Sequence, residues 1–161
     1  MSHRVHELVR GFDLAPHPEG GWFREVFRSE AGVDPLDGRP RRSALTGIYF
    51  LLAAGQHSRW HRVDSDEIWT WIEGGAVRIW SFDAGSGRIE SELAGPLGEG
   101  VEPIRVVRAG LWQAAEPVGD FAFGSCCVGP GFDFADFRML DSDAVARERL
   151  ATASRELIRL A

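Results

Sequence analysis

The chain is short of cysteine, of tyrosine and of net positive charge, and each shortage excludes something. Cys126 and Cys127 are the only cysteines among 161 residues, and they are adjacent. Neighbours in a strand point to opposite faces, so a bond between them would need strained geometry. No C-x-x-C pair is present, which argues against a thiolate metal site. The two are expected as small apolar residues in a buried strand. Eighteen basic residues against twenty-four acidic ones give a formal charge of -6, so the basic excess of a nucleic-acid binder is missing. No apolar run approaches the roughly 18 residues that span a bilayer. The opening MSHRVHELVRGFDL has no long apolar core of the kind a secretory signal carries, and a cytoplasmic protein is expected.

What is present reads as one domain over 1–161 with an all-β body. Hydrophobic residues make up 44% and charged residues 26% of the chain, ordinary values for a globular protein. Val5, Leu8, Val9 and Phe12 recur at helical spacing, which predicts a short amphipathic helix over 3–12. DSDAVARERLATASRELIRL predicts a second helix from 141 to 161, with Asp141 or Ser142 as N-cap. Between them the apolar runs are short: WFREVFR, ALTGIYFLL, EIWTWIE, AVRIWSF, IRVV and FAFGSCCV. Separated by Gly, Pro and Asp, such runs predict a β-sandwich or barrel. DAGSGR (83–88) reads as a hairpin turn and GVDPLDGRPRR (32–42) as a loop.

The chemistry concentrates in GQHSRWHRVDSDEIWTWIEGG (55–75), which sets two histidines and four acidic groups among three tryptophans. Alternation puts His61 and Val63 on one strand face, and the polar turn Asp64-Ser65-Asp66 returns the chain with Glu67. An imidazole and a carboxyl can thus meet inside a barrel. Burial resists ionisation of Glu67 unless it is paired. Trp69 and Trp71 follow Glu67 by alternation and are expected either as core filling or as a pocket wall. Tyr49, the only tyrosine, reads equally as a proton donor or as a core ring. PHPEGG (16–21) reads first as a turn, with His17 and Glu19 able to reach a pocket mouth or a partner.

The spacing Gly55, His61, Val63, Glu67, Gly74 resembles the first motif of the cupin superfamily, G-x5-H-x-H-x3-E-x6-G, with Val63 at the second histidine. The stretch RAGLWQ (108–113) resembles the second motif, with Gln113 at the third histidine and Arg108 at the proline. The flanks PHPEGGWFREVFRS, TGIYFLL, SRWHRVDSDEIW and CVGPGFDFADF are similar to one subgroup, the cupin domain of unknown function that opens with PHPEGG. Thr70 departs from a histidine common there.

The resemblance implies a cupin jelly-roll β-barrel with short N- and C-terminal helices, a small-molecule pocket between the sheets, and a homodimer. On it rest the site expectations. His61 and Glu67 are the catalytic pair, Tyr49, Trp69, Trp71 and Gln113 contact the ligand, and His61, Glu67 and Gln113 point into one cavity with Trp69 or Trp71 on its wall. The favoured activity is isomerisation or epimerisation of a sugar-nucleotide-like or keto metabolite, with His61 taking the proton. Two alternatives stand: a metal-dependent hydrolase, decarboxylase or oxygenase, and a non-catalytic binder. No cofactor is required. A divalent ion held by His61, Glu67 and Gln113 is expected to be weak or partial, because one imidazole ligand is gone and another is an amide. His57 is the one residue able to restore a ligand.

Overall fold

The computed structural model describes residues 2–161. Helix α1 (His3–Gly11) is followed by strands β1 (Ala15–Pro16), β2 (Trp22–Arg28), β3 (Gly32–Val33), β4 (Arg42–Ser43) and β5 (Thr46–Ala53). Next come β6 (Ser58–Val63), β7 (Asp66–Gly74), β8 (Val77–Asp83), β9 (Arg88–Ala94) and β10 (Val101–Glu102). Strands β11 (Ile104–Val107), β12 (Trp112–Pro117), β13 (Phe121–Gly129) and β14 (Phe137–Met139) precede helix α2 (Ala144–Ala153). Two six-stranded sheets form, in the orders β1-β2-β5-β13-β7-β11 and β10-β9-β8-β12-β6-β14. From β5 to β8 the chain crosses between sheets at every connection, and it does so again from β11 to β14. This is the expected jelly roll with a short helix near each end. No helix among the described residues is long and apolar enough to cross a membrane.

Strand alternation divides the apolar residues into three groups. Phe50, Leu52, Trp69, Val77, Ile79, Ala122 and Cys126 fill the space between the sheets. On the outer side of the first sheet, Val5 and Leu8 of α1 cover Leu51, Ala53 and Phe123. On the outer side of the second, Leu150, Leu157 and Leu160 cover Trp60, Phe82 and Trp112. Strand β6 is therefore buried on both faces: Trp60 looks outward and donates its indole N–H to the Leu157 carbonyl at 2.8 Å, while His61 looks inward.

The C-terminal expectation needs correction. Neither Asp141 nor Ser142 caps α2, because Leu140–Ser142 form a 3-10 turn. Asp143 is the cap, accepting from the Ala146 amide at 2.9 Å. The helix stops at Ala153 because Ser154 is extended, and a second 3-10 turn, Glu156–Leu160, brings Leu157 and Leu160 onto the sheet. The 83–88 hairpin forms as expected, with Asp83 accepting from the Gly85 amide at 2.8 Å and from Ser86 Oγ at 2.6 Å. The 32–42 loop is closed at its base by a ribbon that pairs Gly32 with Ser43 and Val33 with Arg42. Cys126 is buried and Cys127 half-buried, and both are free.

That loop is tied to the barrel through a buried carboxylate. Asp136 accepts two bonds from the Arg42 guanidinium, both at 2.8 Å, and a third from Arg39 at 2.9 Å. Breaking a buried pair from one side leaves a desolvated charge, whereas replacing both partners removes the problem. Asp136→Ala is therefore expected to cost about 3–5 kcal/mol in chemical denaturation, and the double substitution Arg42→Met, Asp136→Leu to recover much of it. Arg42 holds the Asp136 carboxyl below its ordinary range. Its contribution is then complete at neutral pH and is lost only as acid protonates the carboxylate, below about pH 4.

Candidate functional site

A cavity of about 330 Å³ opens between the sheets, with His17, Glu19, His61, Glu67 and Cys126 on its floor and Phe23, Phe132, Phe134 and Phe137 towards its mouth. His61, Glu19 and Glu67 are 2%, 6% and 7% exposed, so burial dominates their protonation, with smaller effects from one another.

Glu19 reaches the floor through the PHPEGG turn. Gly20 and Gly21 have φ of 115° and 72°, a region side chains rarely adopt. A Cβ on Gly20 would lie 2.2 Å from the His57 carbonyl oxygen, so the turn crosses the start of β6 where only glycine fits. The Arg59 amide donates to the Glu19 carbonyl at 2.7 Å, and the Arg59 guanidinium to the Pro18 carbonyl at 2.8 Å. Clamped this way, the Glu19 side chain enters the barrel, where Ser58 Oγ donates to Oε1 at 2.9 Å and His61 Nε2 stands 3.2 Å from Oε2.

His61 Nδ1 lies 2.7 Å from the Arg59 carbonyl oxygen. A carbonyl can only accept, which assigns the proton to Nδ1 and leaves the Nε2 lone pair towards Glu19. Burial lowers the imidazole below its ordinary range, with Glu67 opposing. Burial pushes the Glu19 carboxyl up to about 8, with the Ser58 hydrogen bond opposing. The two directions agree: near neutrality burial favours a protonated Glu19 beside a neutral His61. His17 is brought down to about 4, chiefly by burial.

Glu67 takes its place by alternation in β7 and is oriented from behind. Gln113 Nε2 donates to Glu67 Oε2 at 2.6 Å, while Trp69 Nε1 donates to Gln113 Oε1 at 3.2 Å. Burial raises the Glu67 carboxyl, and nearby Glu19 adds to this. Burial pushes the Cys126 thiol well up. At the mouth, Phe137 stacks on His61 with centroids 5.5 Å apart.

His61 and Glu67 thus share a cavity, but the four ligand contacts expected beside them do not line it. Gln113 stands behind Glu67 with both amide ends engaged. Trp69 meets Phe50 edge-on inside the core. Trp71, paired with Gly124 in the same register as Trp69, donates to the Gly75 carbonyl. Both tryptophans border a separate hollow of only about 10 Å³. Tyr49 faces the other way, against Phe12 and Phe123 beneath α1. Thr70 is not on the cavity wall either. Glu19 is the floor residue that sequence underrates, and its one signal is a carboxyl beside paired glycines.

The donors do not fit a metal ion. Val63 lines the cavity without a ligand atom, Gln113 is turned away, and His57 is not among the lining residues. Among the described residues no three His, Cys, Asp or Glu side chains form a group able to hold one.

A family model described as cupin superfamily (DUF985) matches residues 6–140. Among solved structures, a hypothetical protein from Leishmania major is 28% identical with a TM-score of 0.81, the match covering 96% of each chain. A Shewanella oneidensis protein is 28% identical with a TM-score of 0.80, over 96% of this chain and 92% of that one. Oxalate decarboxylase from Bacillus subtilis is 19% identical with a TM-score of 0.59, over 93% of this chain and 37% of that one, a likeness of fold alone. No curated protein matches the chain. The family match runs from within α1 to the residue after β14, and the chain belongs to the cupin superfamily, in the family DUF985.

Proposed function

We propose that the barrel cavity binds a small metabolite and isomerises or epimerises it by moving a proton next to a carbonyl group. The observation that carries this reading is the buried contact of His61 Nε2 with Glu19 Oε2 at 3.2 Å. General acid–base work needs a base that is unprotonated near neutrality and an acid that still holds its proton there. His61, lowered by burial, supplies the first, and Glu19, raised to about 8, the second. A substrate seated against the pair would give its carbon-bound proton to Nε2 and receive one at its carbonyl oxygen from Glu19. Glu67, fixed by Gln113, faces the same space and accepts a substrate hydroxyl. These chain residues are sufficient for the proposed step. A cytoplasmic location belongs to the same proposal, supported by the two free cysteines.

The test is carbon–deuterium exchange in D2O, followed by NMR, across a panel of small hydroxyketones and aldoses. Exchange next to the carbonyl is expected with the unaltered protein, and a fall of about 100- to 10,000-fold with His61→Ala. The rate should drop on the acid side as His61 gains a proton. On the alkaline side it should drop as pH rises through about 8, where Glu19 loses its proton, and Glu19→Gln should abolish that alkaline limb. A ligand that binds and never exchanges would favour a non-catalytic binder.

We also propose that two copies pair through the outer face of the first sheet. Ile68 and Ile72 on β7 and Ile104 and Val106 on β11 leave 41–51% of their surface exposed, with Val106 opposite Ile68 in register. Such an apolar row is unusual unless covered. Sedimentation should give a dimer at micromolar concentration that Ile104→Arg splits with less than about 1 kcal/mol change in monomer stability, as is usual for an exposed position. Monomer alone would overturn it.

A further inference from the structure

We infer that the cavity takes an uncharged carbonyl compound with a compact apolar body, and turns away carboxylates and phosphate esters. The inference rests on the proton-transfer reading and names the class of substrate that such a site receives.

Its first support is the balance of charge facing the cavity. Glu19, Glu25, Glu67 and Asp133 line it, against the single guanidinium of Arg28. That guanidinium is already engaged. Its Nε and Nη2 donate to the two Glu25 oxygens at 3.0 and 2.6 Å, and its Nη1 donates to the Phe132 carbonyl at 3.1 Å. The imidazoles add no cation. His17 Nδ1 accepts the Glu19 amide at 3.3 Å, which marks that ring as neutral, and burial disfavours the charged form of His61. The lowered affinity of His17 for protons agrees. An anionic ligand would lose its hydration and find no free cation among the described residues facing the cavity, which is strongly unfavourable.

An ammonium fares little better at the floor. One Glu19 oxygen accepts from Ser58 and the other faces His61, while one Glu67 oxygen accepts from Gln113. Burial favours the protonated form of both acids, which weakens the attraction of the floor for a cation. What the floor does offer is an acidic O–H and a lone pair on nitrogen, the complement of a carbonyl flanked by a C–H bond.

The second support is shape. The lining includes four phenylalanine rings with Ile48, Val63 and Val128, so the body of the ligand meets apolar surface. At about 330 Å³ the cavity sits at the small end of ligand pockets, which run from about 300 to 1,000 Å³. A compact keto compound fits this volume; a sugar nucleotide does not.

The test is an NMR titration of the full chain at pH 7 with three probes of one skeleton: 2-phenylacetamide, phenylacetate and 2-phenylethylammonium. The amide is expected to bind with a Kd at least tenfold below that of either ion. Glu25→Gln, which releases Arg28 at the mouth, is expected to tighten phenylacetate at least fivefold and to leave the amide within twofold. Phenylacetate or the ammonium binding as tightly as the amide to the unaltered protein would overturn the inference, as would no binding of any probe. So would phenylacetate unmoved by Glu25→Gln. The exchange assay separates the two readings. Exchange together with a preference for the anion sinks the charge class alone, and preference for the amide without exchange in any carbonyl compound sinks proton transfer alone.

Discussion

The turn that carries Glu19 passes the start of β6 so closely that the backbone of Gly20 faces the His57 carbonyl with no room for a side chain. Most of the site follows from that contact. Two hydrogen bonds from Arg59 fasten the turn, and they come from the strand that bears His61. The acid and the imidazole are thus positioned by one local constraint, although 42 residues separate them in the chain. Fixing partners on rigid elements keeps a proton path short without reorganisation at the moment of reaction.

Burying two carboxyls and an imidazole together is tolerable because neutral donors satisfy most of their oxygens and nitrogens. Ser58 serves Glu19, Gln113 serves Glu67, and the Arg59 carbonyl serves His61. The indole of Trp69 in turn settles which end of Gln113 points at Glu67. Charge is kept at the periphery, where Arg42 and Arg39 hold Asp136. That pairing anchors the segment 132–137, whose three rings shape the mouth. Polar satisfaction inside and ion pairing outside divide the work of making a dry but reactive cavity.

The barrel and its strand boundaries were largely legible in the sequence, because turn residues separate short apolar runs. The pair His61 and Glu67 was legible too, from alternation on two adjacent strands. Tyr49 was not, because β5 is apolar on both faces: α1 covers one side and the barrel core the other, so nothing in ALTGIYFLL says which parity points in. Trp69 and Trp71 keep the inward parity of Glu67 but lie further along β7, where they border the separate hollow, and alternation alone does not say how far along a strand the cavity reaches. Gln113 occupies the expected strand position, opposite His61 in register, but spends its amide on Glu67, which spacing cannot reveal. Glu19 was hidden by its turn, since Pro and Gly explain that segment without any reference to a site.

Trp60 and His61 are consecutive residues on opposite sides of one strand, and the outer one is tied to the Leu157 carbonyl near the end of the chain. The thickness of a single strand is all that separates the last turn of the protein from the cavity floor. Sequence drift in that tail is therefore not free of the chemistry: an altered fit of Leu157 or Leu160 would tilt β6 and move an imidazole whose working contacts are measured in tenths of an ångström. A terminus that looks like packing alone carries part of the site's tolerance.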